Sequence, residues 1–159
     1  MSLTFSFEYR KLGDFTYHVI SDPTEIKAYL MKWILREWEI DHNEAPDEHW
    51  TVKWMNMLPQ MNFALETINL SDIHPNPDLM SLEDFQTSLQ ERADEREWSI
   101  LRGVSIEPLL INQEDFELMD GYTRYTVLER YEQKEVYAYI GVQSLRGASP
   151  WDPTLASQK

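Results

Sequence analysis

Hydrophobic and polar positions alternate at the start of the chain, on both sides of a short polar turn. Phe15, Tyr17 and Val19 follow Gly13-Asp14 at every second position, and aromatic residues precede this turn with the same spacing. A period of two on either side of a Gly-Asp pair is typical of two paired strands. The pattern therefore predicts a β-hairpin over residues 3–20.

A helical period follows the hairpin. Asp22 and Pro23 are typical of an N-cap and a first helical position, and apolar residues then recur three and four positions apart up to residue 39. Residues 41–48 are acidic and predict a loop, and residues 50–57 predict a short helix. The tryptophans of this first part indicate that it packs against the second half of the chain or against another subunit.

The second half alternates short apolar runs with amphipathic segments. Helices are predicted to begin at Ser81 and Tyr122, the first of them stopping at Gly103. The charged residues 90–97 fit either a solvated continuation of that helix or a loop, and His74-Pro75-Asn76-Pro77 predicts a turn without regular structure. Strands are predicted at residues 63–68, 109–111, 116–119 and 136–142.

These elements predict an α+β fold, with a small mixed sheet and packed helices preceded by a β-hairpin and a helical N-terminal extension. We expect three segments: the extension at residues 1–60, the sheet domain at residues 61–143 and an irregular tail at residues 144–159.

Charge narrows the classes of partner. The 159 residues include 28 Asp and Glu against 14 Lys and Arg, a net charge of −14. Non-specific DNA binding and anionic membranes both require a basic surface, so neither partner is expected. The chain contains no apolar run long enough to span a membrane and no secretory signal, and it has no Cys. We expect a cytoplasmic protein without disulfides or thiol chemistry.

The segment Asp120-Gly121-Tyr122-Thr123-Arg124 carries the most chemical information. A predicted strand ends, a Gly permits a tight turn and a helix begins at once. The first turn of a helix offers unpaired N–H groups and the positive end of the helix dipole, a combination that suits a phosphate or carboxylate. The alternative is an ordinary helix capped by Asp120, with Arg124 in solvent.

Several segments, taken in order, resemble the ParB/sulfiredoxin superfamily. They are a helix ending in Gly, a Pro-led apolar strand, a strand leading to Gly-x-x-Arg, a helix and a closing strand. The matching residues are Leu101-Arg102-Gly103-Val104-Ser105-Ile106-Glu107-Pro108-Leu109-Leu110-Ile111, then Glu117-Leu118-Met119-Asp120-Gly121-Tyr122-Thr123-Arg124, then Val136-Tyr137-Ala138-Tyr139-Ile140, with an opening strand and proline turn at residues 66–77. Residues 90–100 depart from the pattern as an insertion.

The branches of this superfamily differ at residues that can be read in this chain. Sulfiredoxins carry a Cys where this chain has Tyr122, which excludes sulfinic-acid reduction. ParB partition proteins bind DNA and CTP and continue into a helix-turn-helix module, which we do not expect in an acidic chain that ends at Lys159. Free serine kinases of this fold hold nucleotide phosphates on an Asp-Gly-x-x-Arg segment, which residues 120–124 match.

The resemblance implies a nucleotide cofactor (ATP, ADP or CTP) with Mg²⁺, held by Asp120, Gly121, Tyr122, Thr123 and Arg124. Transfer of phosphate to a small hydroxyl substrate such as a free amino acid would also require a base, for which Asp72 and His74 are the hypotheses. Whether the chain is an enzyme stays open. The alternatives are a non-enzymatic interaction module with a degenerate ParB-like fold and a ParB-like regulator without its DNA-binding module. A homodimer is a further partner hypothesis.

The acidic segment around His42 and His49 is the other candidate for chemistry. The spacing of these residues matches no defined pair of metal ligands, so we interpret the segment as a solvated acidic loop and assign no metal site.

Overall fold

A two-stranded antiparallel hairpin opens the computed structural model, which describes residues 5–44 and 50–143. β1 (Glu8–Leu12) pairs with β2 (Phe15–Val19), and Gly13 turns the chain at a φ of +61°, a conformation that glycine adopts without steric cost. Alternate residues of β2 are buried, whereas Tyr9 in β1 is 74% exposed. The predicted hairpin is confirmed; its second strand is buried at alternate positions, whereas in the first strand Leu12 packs against the core and most residues are exposed.

The helix after the hairpin is longer than its prediction. It comprises α1 (Pro23–Tyr29), a π-helical turn (Leu30–Ile34) and α2 (Leu35–Glu44). Asp22 caps it by accepting a hydrogen bond from the Glu25 backbone N–H at 2.9 Å. The helix passes the predicted end because no Gly or Pro interrupts the chain before residue 46. The predicted loop is therefore wrong for residues 41–44, and residues 45–49 lie outside the described residues.

Four strands form one mixed sheet in the order β3-β6-β4-β5. These are β3 (Met61–Asn69), β4 (Leu109–Asn112), β5 (Leu118–Asp120) and β6 (Glu135–Gln143). β6 runs antiparallel to β3 and parallel to β4, and β5 is antiparallel to β4. The predicted α+β class, with a small mixed sheet preceded by a hairpin and helices, is confirmed.

The segment between β3 and α5 contains two corrections to the predicted elements. Pro77, predicted in an irregular turn, is the first residue of a short helix, α4 (Pro77–Met80), because Asn76 accepts hydrogen bonds from the two following N–H groups. Ser81 ends that helix instead of capping the next one, and the residue at the N-cap of α5 (Glu83–Ile100) is Leu82. The charged residues 90–97 continue α5, as one of the two predicted alternatives required.

Two element boundaries near the candidate site also differ from their predictions. Phe116, predicted in a strand, adopts a positive φ of 55° in the preceding turn, and β5 begins only at Leu118. The helix after Gly121, α6 (Tyr122–Arg130), ends three residues before its predicted end. The predicted tail lies outside the described residues, as do residues 1–4.

The sheet separates two apolar layers, because successive residues of a strand point to opposite faces. Leu109 and Ile111 belong to the layer that contains residues of α5 and α6, such as Leu89 and Val127. Leu110 belongs to the opposite layer, which α1, α2 and α3 (Trp50–Met57) complete. Trp38 and Trp54 are buried in that second layer, which confirms that tryptophans of the first sixty residues pack against the second half.

The hairpin is joined to the sheet by hydrogen bonds at one end of β4. The backbone of Ile106 exchanges two hydrogen bonds with residues 16 and 18 of β2, at 3.0 and 2.9 Å. Nearby, the Ile20 N–H donates to the Tyr139 hydroxyl of β6 at 2.9 Å, where both residues are buried. These bonds bring β2, Ile20 and the segment before β4 to the same end of the sheet.

No helix within the described ranges is both long enough and apolar enough to cross a membrane.

Replacing Tyr139 with Phe tests the bond between the N-terminal segment and the central strand. The substitution leaves the buried Ile20 N–H without its acceptor, so we expect the free energy of unfolding to fall by about 1–3 kcal/mol in urea titrations. Tyr9→Phe, at an exposed hydroxyl, is the control and should change stability by less than about 0.5 kcal/mol. Equal stability of the two variants would contradict the inferred role of this bond.

Candidate functional site

A cleft of about 1220 Å³ opens between α2, α5 and the start of α6. Its cationic lining residues are Lys53, Arg92 and Arg124. Its carboxylates are Glu37, Asp41, Asp78, Glu83, Asp84 and Asp120. The lining thus carries charges of both signs with an excess of carboxylates, and its two arginines lie on α5 and α6.

Gly121 joins β5 to α6 in a conformation that other residues rarely adopt. Its φ is +100°, and it occupies the N-cap position of the nine-residue helix α6 without a side-chain cap. An added Cβ would lie 2.8 Å from Arg124 Nη2 and 2.9 Å from Leu109 Cδ2. The missing side chain therefore lets the Arg124 guanidinium fold closely over the backbone at the start of the helix.

Arg124 is held in place by two partners and keeps one donor without an acceptor. Its Nη2 donates to the Pro108 carbonyl at 3.2 Å and lies 3.7 Å from Asp120 Oδ2. Its Nε is buried and has no hydrogen-bond acceptor in the described part of the chain. The side chain is only 15% exposed. Arg124 is thus neither in solvent nor fully satisfied, and the alternative of a solvated Arg does not describe it.

Asp120 stands at the junction of β5 and the cleft. It accepts a hydrogen bond from Trp38 Nε1 at 3.4 Å, so that α2 reaches the end of the sheet. Burial raises the pKa of Asp120 above its usual range, although Arg124 and the Trp38 N–H act in the opposite direction. Burial also raises the pKa of the nearby Glu37, and the charges of Asp120 and Asp41 act in the same direction. The carboxylates beside Arg124 repel one another, which favours a cation or a proton among them.

The other two residues of the motif contribute in different ways. The Tyr122 ring is buried, and its hydroxyl donates to the Leu118 carbonyl at 3.2 Å and accepts from the Asn76 N–H at 3.0 Å. Its contribution to a ligand is therefore limited to its backbone. Thr123 is partly exposed and lines the cleft. Residues 120–124 are thus brought together, as the motif requires.

Asp72 and His74, the predicted bases, lie outside the cleft lining. Asp72 is exposed at the end of a 3₁₀ turn (Leu70–Asp72), within 3.5 Å of Asn69 Nδ2. His74 is exposed, and its backbone pairs with that of residues 116 and 118. Asp78, one helical turn further along the chain, does line the cleft. The catalytic roles of Asp72 and His74 stay predictions.

A polar network beside the motif was not found from the sequence. Glu107, directly before β4, accepts a hydrogen bond from the Tyr29 hydroxyl and lies 3.5 Å from His18 Nε2. His18 Nδ1 lies 2.8 Å from the Ser105 hydroxyl. Burial opposes ionisation of Glu107, but His18, the charge of Arg124 and Tyr29 outweigh it and lower the pKa to about 2. Glu107 is thus a fixed anion beside Arg124.

No group of three or more His, Asp or Glu side chains in the described ranges has the geometry to hold a metal ion. Asp120 is the carboxylate of the motif itself, and its oxygens already contact Trp38 and Arg124. A Mg²⁺ ion at this cleft would depend mainly on oxygens that a ligand brings, as is usual for Mg²⁺ bound with substrate phosphates.

Comparison with known proteins finds similarity in structure alone. No protein-family model and no curated protein matches the sequence. Two solved structures of a pNOB8-like ParB N-domain do match. One is a C2221 crystal form at 19% identity and a TM-score of 0.40, covering 52% of this chain and 30% of that chain. The other has 22% identity and a TM-score of 0.38, covering 51% and 28%. The similarity concerns the fold of about half of this chain and carries no information on ligand or activity.

Gly121→Ala tests whether the close approach of Arg124 requires a glycine. Both Gly121 and Gly103 have positive φ, but a Cβ at Gly103 would meet nothing within 4 Å. Gly103→Ala therefore controls for backbone strain alone. We expect Gly121→Ala to lower the free energy of unfolding by about 1–2 kcal/mol more than Gly103→Ala, measured in urea. Equal losses would show that the contact with Arg124 imposes no constraint.

The lowered pKa of Glu107 predicts a specific pH dependence. An unfolded Glu has a pKa of 4.5 against about 2 in the fold, so the ionised group stabilises the fold above pH 4.5. This stabilisation is lost as the pH falls from 4.5 towards 2. Glu107→Gln should therefore lower the free energy of unfolding by roughly 2 kcal/mol at pH 7 and flatten its decline below pH 4.5. Urea titrations across pH 2–7 measure this, with the exposed Glu91→Gln as the control. Parallel curves for Glu107→Gln and the unaltered protein would contradict it.

Proposed function

We propose that the cleft binds a nucleotide or another phosphate-bearing small molecule at the start of α6, on residues 120–124. The observation that carries the proposal is the buried Arg124 Nε, a cationic donor without an acceptor in the described part of the chain, at the point where a helix N-terminus faces the cleft. Buried polar groups in folded proteins are almost always paired, so such a donor calls for an acceptor.

The local geometry supports an anion as that acceptor. The first-turn N–H groups of α6 have no acceptor within the helix, and the helix dipole adds partial positive charge at the same place. Thr123 is small and partly exposed at the cleft, so a ligand can approach the backbone of the first turn beside the Arg124 guanidinium that lies over Gly121. Phosphate oxygens match such a set of donors better than a neutral group does.

The size and charge of the cleft support a nucleotide bound with Mg²⁺. Small-molecule sites commonly enclose about 300–1000 Å³, and the cleft of about 1220 Å³ leaves space for a second, small substrate. Its carboxylates would repel a bare polyphosphate, whereas a phosphate–Mg²⁺ complex reduces that repulsion. ATP, ADP and CTP are the nucleotides to compare.

Phosphate transfer to a small hydroxyl substrate is the activity that we propose for this site if the nucleotide is turned over. The reaction requires a base within hydrogen-bond reach of the acceptor hydroxyl. Asp72 and His74 are the sequence-derived hypotheses, and Asp78 is the carboxylate of that region that lines the cleft. Product release from ATP or ADP with free serine as the acceptor is the assay for this step.

Calorimetric titration of the protein with ATP, ADP and CTP in the presence of Mg²⁺ tests the proposed binding. We expect at least one nucleotide to bind, and Arg124→Ala to weaken it by tenfold or more, because a charge-assisted hydrogen bond is worth about 1.5–3 kcal/mol. Arg102→Ala is the charge-matched control, since Arg102 is exposed and stacks on Trp98 outside the cleft.

Thermal unfolding of both variants must accompany the titration, with Arg124→Lys as a second variant if Arg124→Ala is unfolded. Undetectable binding of all three nucleotides at millimolar concentration would overturn the proposal. It would leave the non-enzymatic interaction module as the explanation of the fold. Equal losses in Arg124→Ala and Arg102→Ala would place binding elsewhere.

A further inference from the structure

One side of helix α5 forms a wall of the cleft. Leu82, at the N-cap position of this helix, lines the cleft together with Phe85, Ser88 and Arg92. These residues follow one another at intervals of three, three and four positions, which places them along one side of a helix. The wall therefore carries apolar side chains near the start of α5 and a cation about two turns beyond Phe85.

The apolar part of this wall contacts the motif directly. The ring centroids of Phe85 and Tyr122 lie 5.6 Å apart at an interplanar angle of 87°. Because Tyr122 is the first residue of α6, Phe85 lies beside the helix start at which we propose phosphate binding. Phe85 is only partly buried and lines the cleft, and Leu82 is 55% exposed. Apolar surface is thus accessible to a ligand whose phosphate lies at the start of α6.

Arg92 extends over Phe85 and is not paired with a carboxylate. Its Cζ lies 5.9 Å from the centroid of the Phe85 ring, close to the outer limit of about 6 Å for a cation–π contact. Arg92 is exposed and forms no hydrogen bond or ion pair with any residue that the structure describes. By comparison, the Arg102 guanidinium stacks on Trp98 at 3.5 Å. Arg92 therefore does not stack directly on Phe85, and its side chain is available to a ligand.

The charges of the cleft determine which part of a ligand suits this wall. Glu83 and Asp84, in the first turn of α5, line the cleft beside Phe85. Their charges disfavour a phosphate near the start of α5, whereas they do not repel an uncharged ring. An aromatic ring and an arginine guanidinium are the groups on which nucleobases stack in proteins. The wall therefore suits the base of a nucleotide better than its phosphates.

We propose that Phe85 and Arg92 form the base subsite of a nucleotide whose phosphates lie at the start of α6. The base stacks on the Phe85 ring, and the Arg92 guanidinium covers its other side. This inference rests on the proposed function and deepens it, because it makes the ligand a nucleotide and excludes a base-free phosphate compound. Every base has a π-face, so the subsite selects for the presence of a base more than for its identity.

Calorimetric titration with ATP and with inorganic triphosphate, both in the presence of Mg²⁺, tests whether the base contributes to binding. The unaltered protein should bind ATP more tightly by roughly tenfold, since stacking on an aromatic side chain contributes about that much. Phe85→Leu retains an apolar side chain against Tyr122 and removes the ring. It should weaken ATP by a similar factor and leave inorganic triphosphate unchanged. Trp98→Leu, at an exposed ring outside the cleft, is the matched control and should weaken neither ligand.

Arg92→Lys separates stacking from charge. Lysine retains the positive charge but lacks the planar guanidinium. We expect this variant to weaken ATP by about threefold, as for an exposed cation–π contact, and to leave inorganic triphosphate unchanged. Because Arg92 is exposed, this test remains possible if Phe85→Leu does not fold. Equal weakening of both ligands would show that Arg92 acts through its charge and would overturn its place in the subsite.

Proton NMR of ATP provides a readout that a purely structural Phe85 would not change. A base stacked on an aromatic ring lies in the shielding region of that ring. The base protons of ATP should therefore shift upfield on binding to the unaltered protein and to Trp98→Leu, and less on binding to Phe85→Leu. Binding without this shift would overturn the base subsite.

The remaining outcomes distinguish the two proposals. If neither ATP nor inorganic triphosphate binds the unaltered protein, the proposed function and the base subsite both fail. If both bind with equal affinity and Arg124→Ala weakens both, the phosphate site stands and only the base subsite fails. Equal effects of Phe85→Leu and Trp98→Leu on ATP would also overturn the subsite. Thermal unfolding of each variant verifies that it is folded before titration.

Discussion

The pairing of β6 with both of its neighbours is the constraint on which the rest of the structure depends. β6 is the last strand of the described residues but lies inside the sheet, antiparallel to β3 and parallel to β4. Its residues from 138 to 141 are buried, so both of its faces support an apolar layer. A parallel neighbour requires a long connection, and the segment that provides it contains β5, Gly121 and α6. The candidate site therefore lies in the connection that the sheet requires.

The same strand explains how the N-terminal hairpin and helices come to border the cleft. Tyr139 binds the backbone of Ile20, directly before α1, and the long helix that follows carries Trp38 to Asp120. Packing of α1–α3 on one face of the sheet thus places Glu37 and Asp41 opposite the start of α6. One side of α2 thus lines the cleft, and its other side belongs to the buried layer.

The net charge of −14 and a local anion site are compatible because they act over different distances. Charges in water are screened beyond about 8 Å at physiological ionic strength. Arg124 is 15% exposed and contacts two acceptor oxygens within 4 Å, where the local arrangement outweighs the distant surface. The carboxylates that do lie in the cleft are close enough to matter. They would repel a bare anion in the cleft.

Sequence periodicity predicted the elements whose residues repeat regularly, and it failed where a choice depended on tertiary contacts. The hairpin, the strands around residues 63–68 and 136–142, and the helix start after Gly121 all follow from local spacing. The end of α2 does not, because a run without Gly or Pro permits both a helix and a loop. The predicted N-cap of α5 was wrong because Ser81, a good capping residue in isolation, already ends α4. Glu107 contacts Tyr29, which lies 78 positions earlier in the sequence, and His18, which lies 89 positions earlier, so no local pattern contains this network.

The motif itself was found from sequence because its chemistry is local, whereas the state of its arginine was not. A strand, a Gly and a helix start in succession are visible in any chain with this pattern, but whether the Arg reaches solvent depends on what packs above it. Here the missing side chain of Gly121 leaves room for the guanidinium against the backbone, and the Pro108 carbonyl and Asp120 hold it there. These contacts provide acceptors for Nη2 and leave the buried Nε without one. A surface ion pair, in contrast, leaves its remaining donors to water. A fixed and incompletely satisfied cation loses little conformational freedom when an acceptor arrives. That preorganisation is the physical reason for proposing the start of α6 as the binding site.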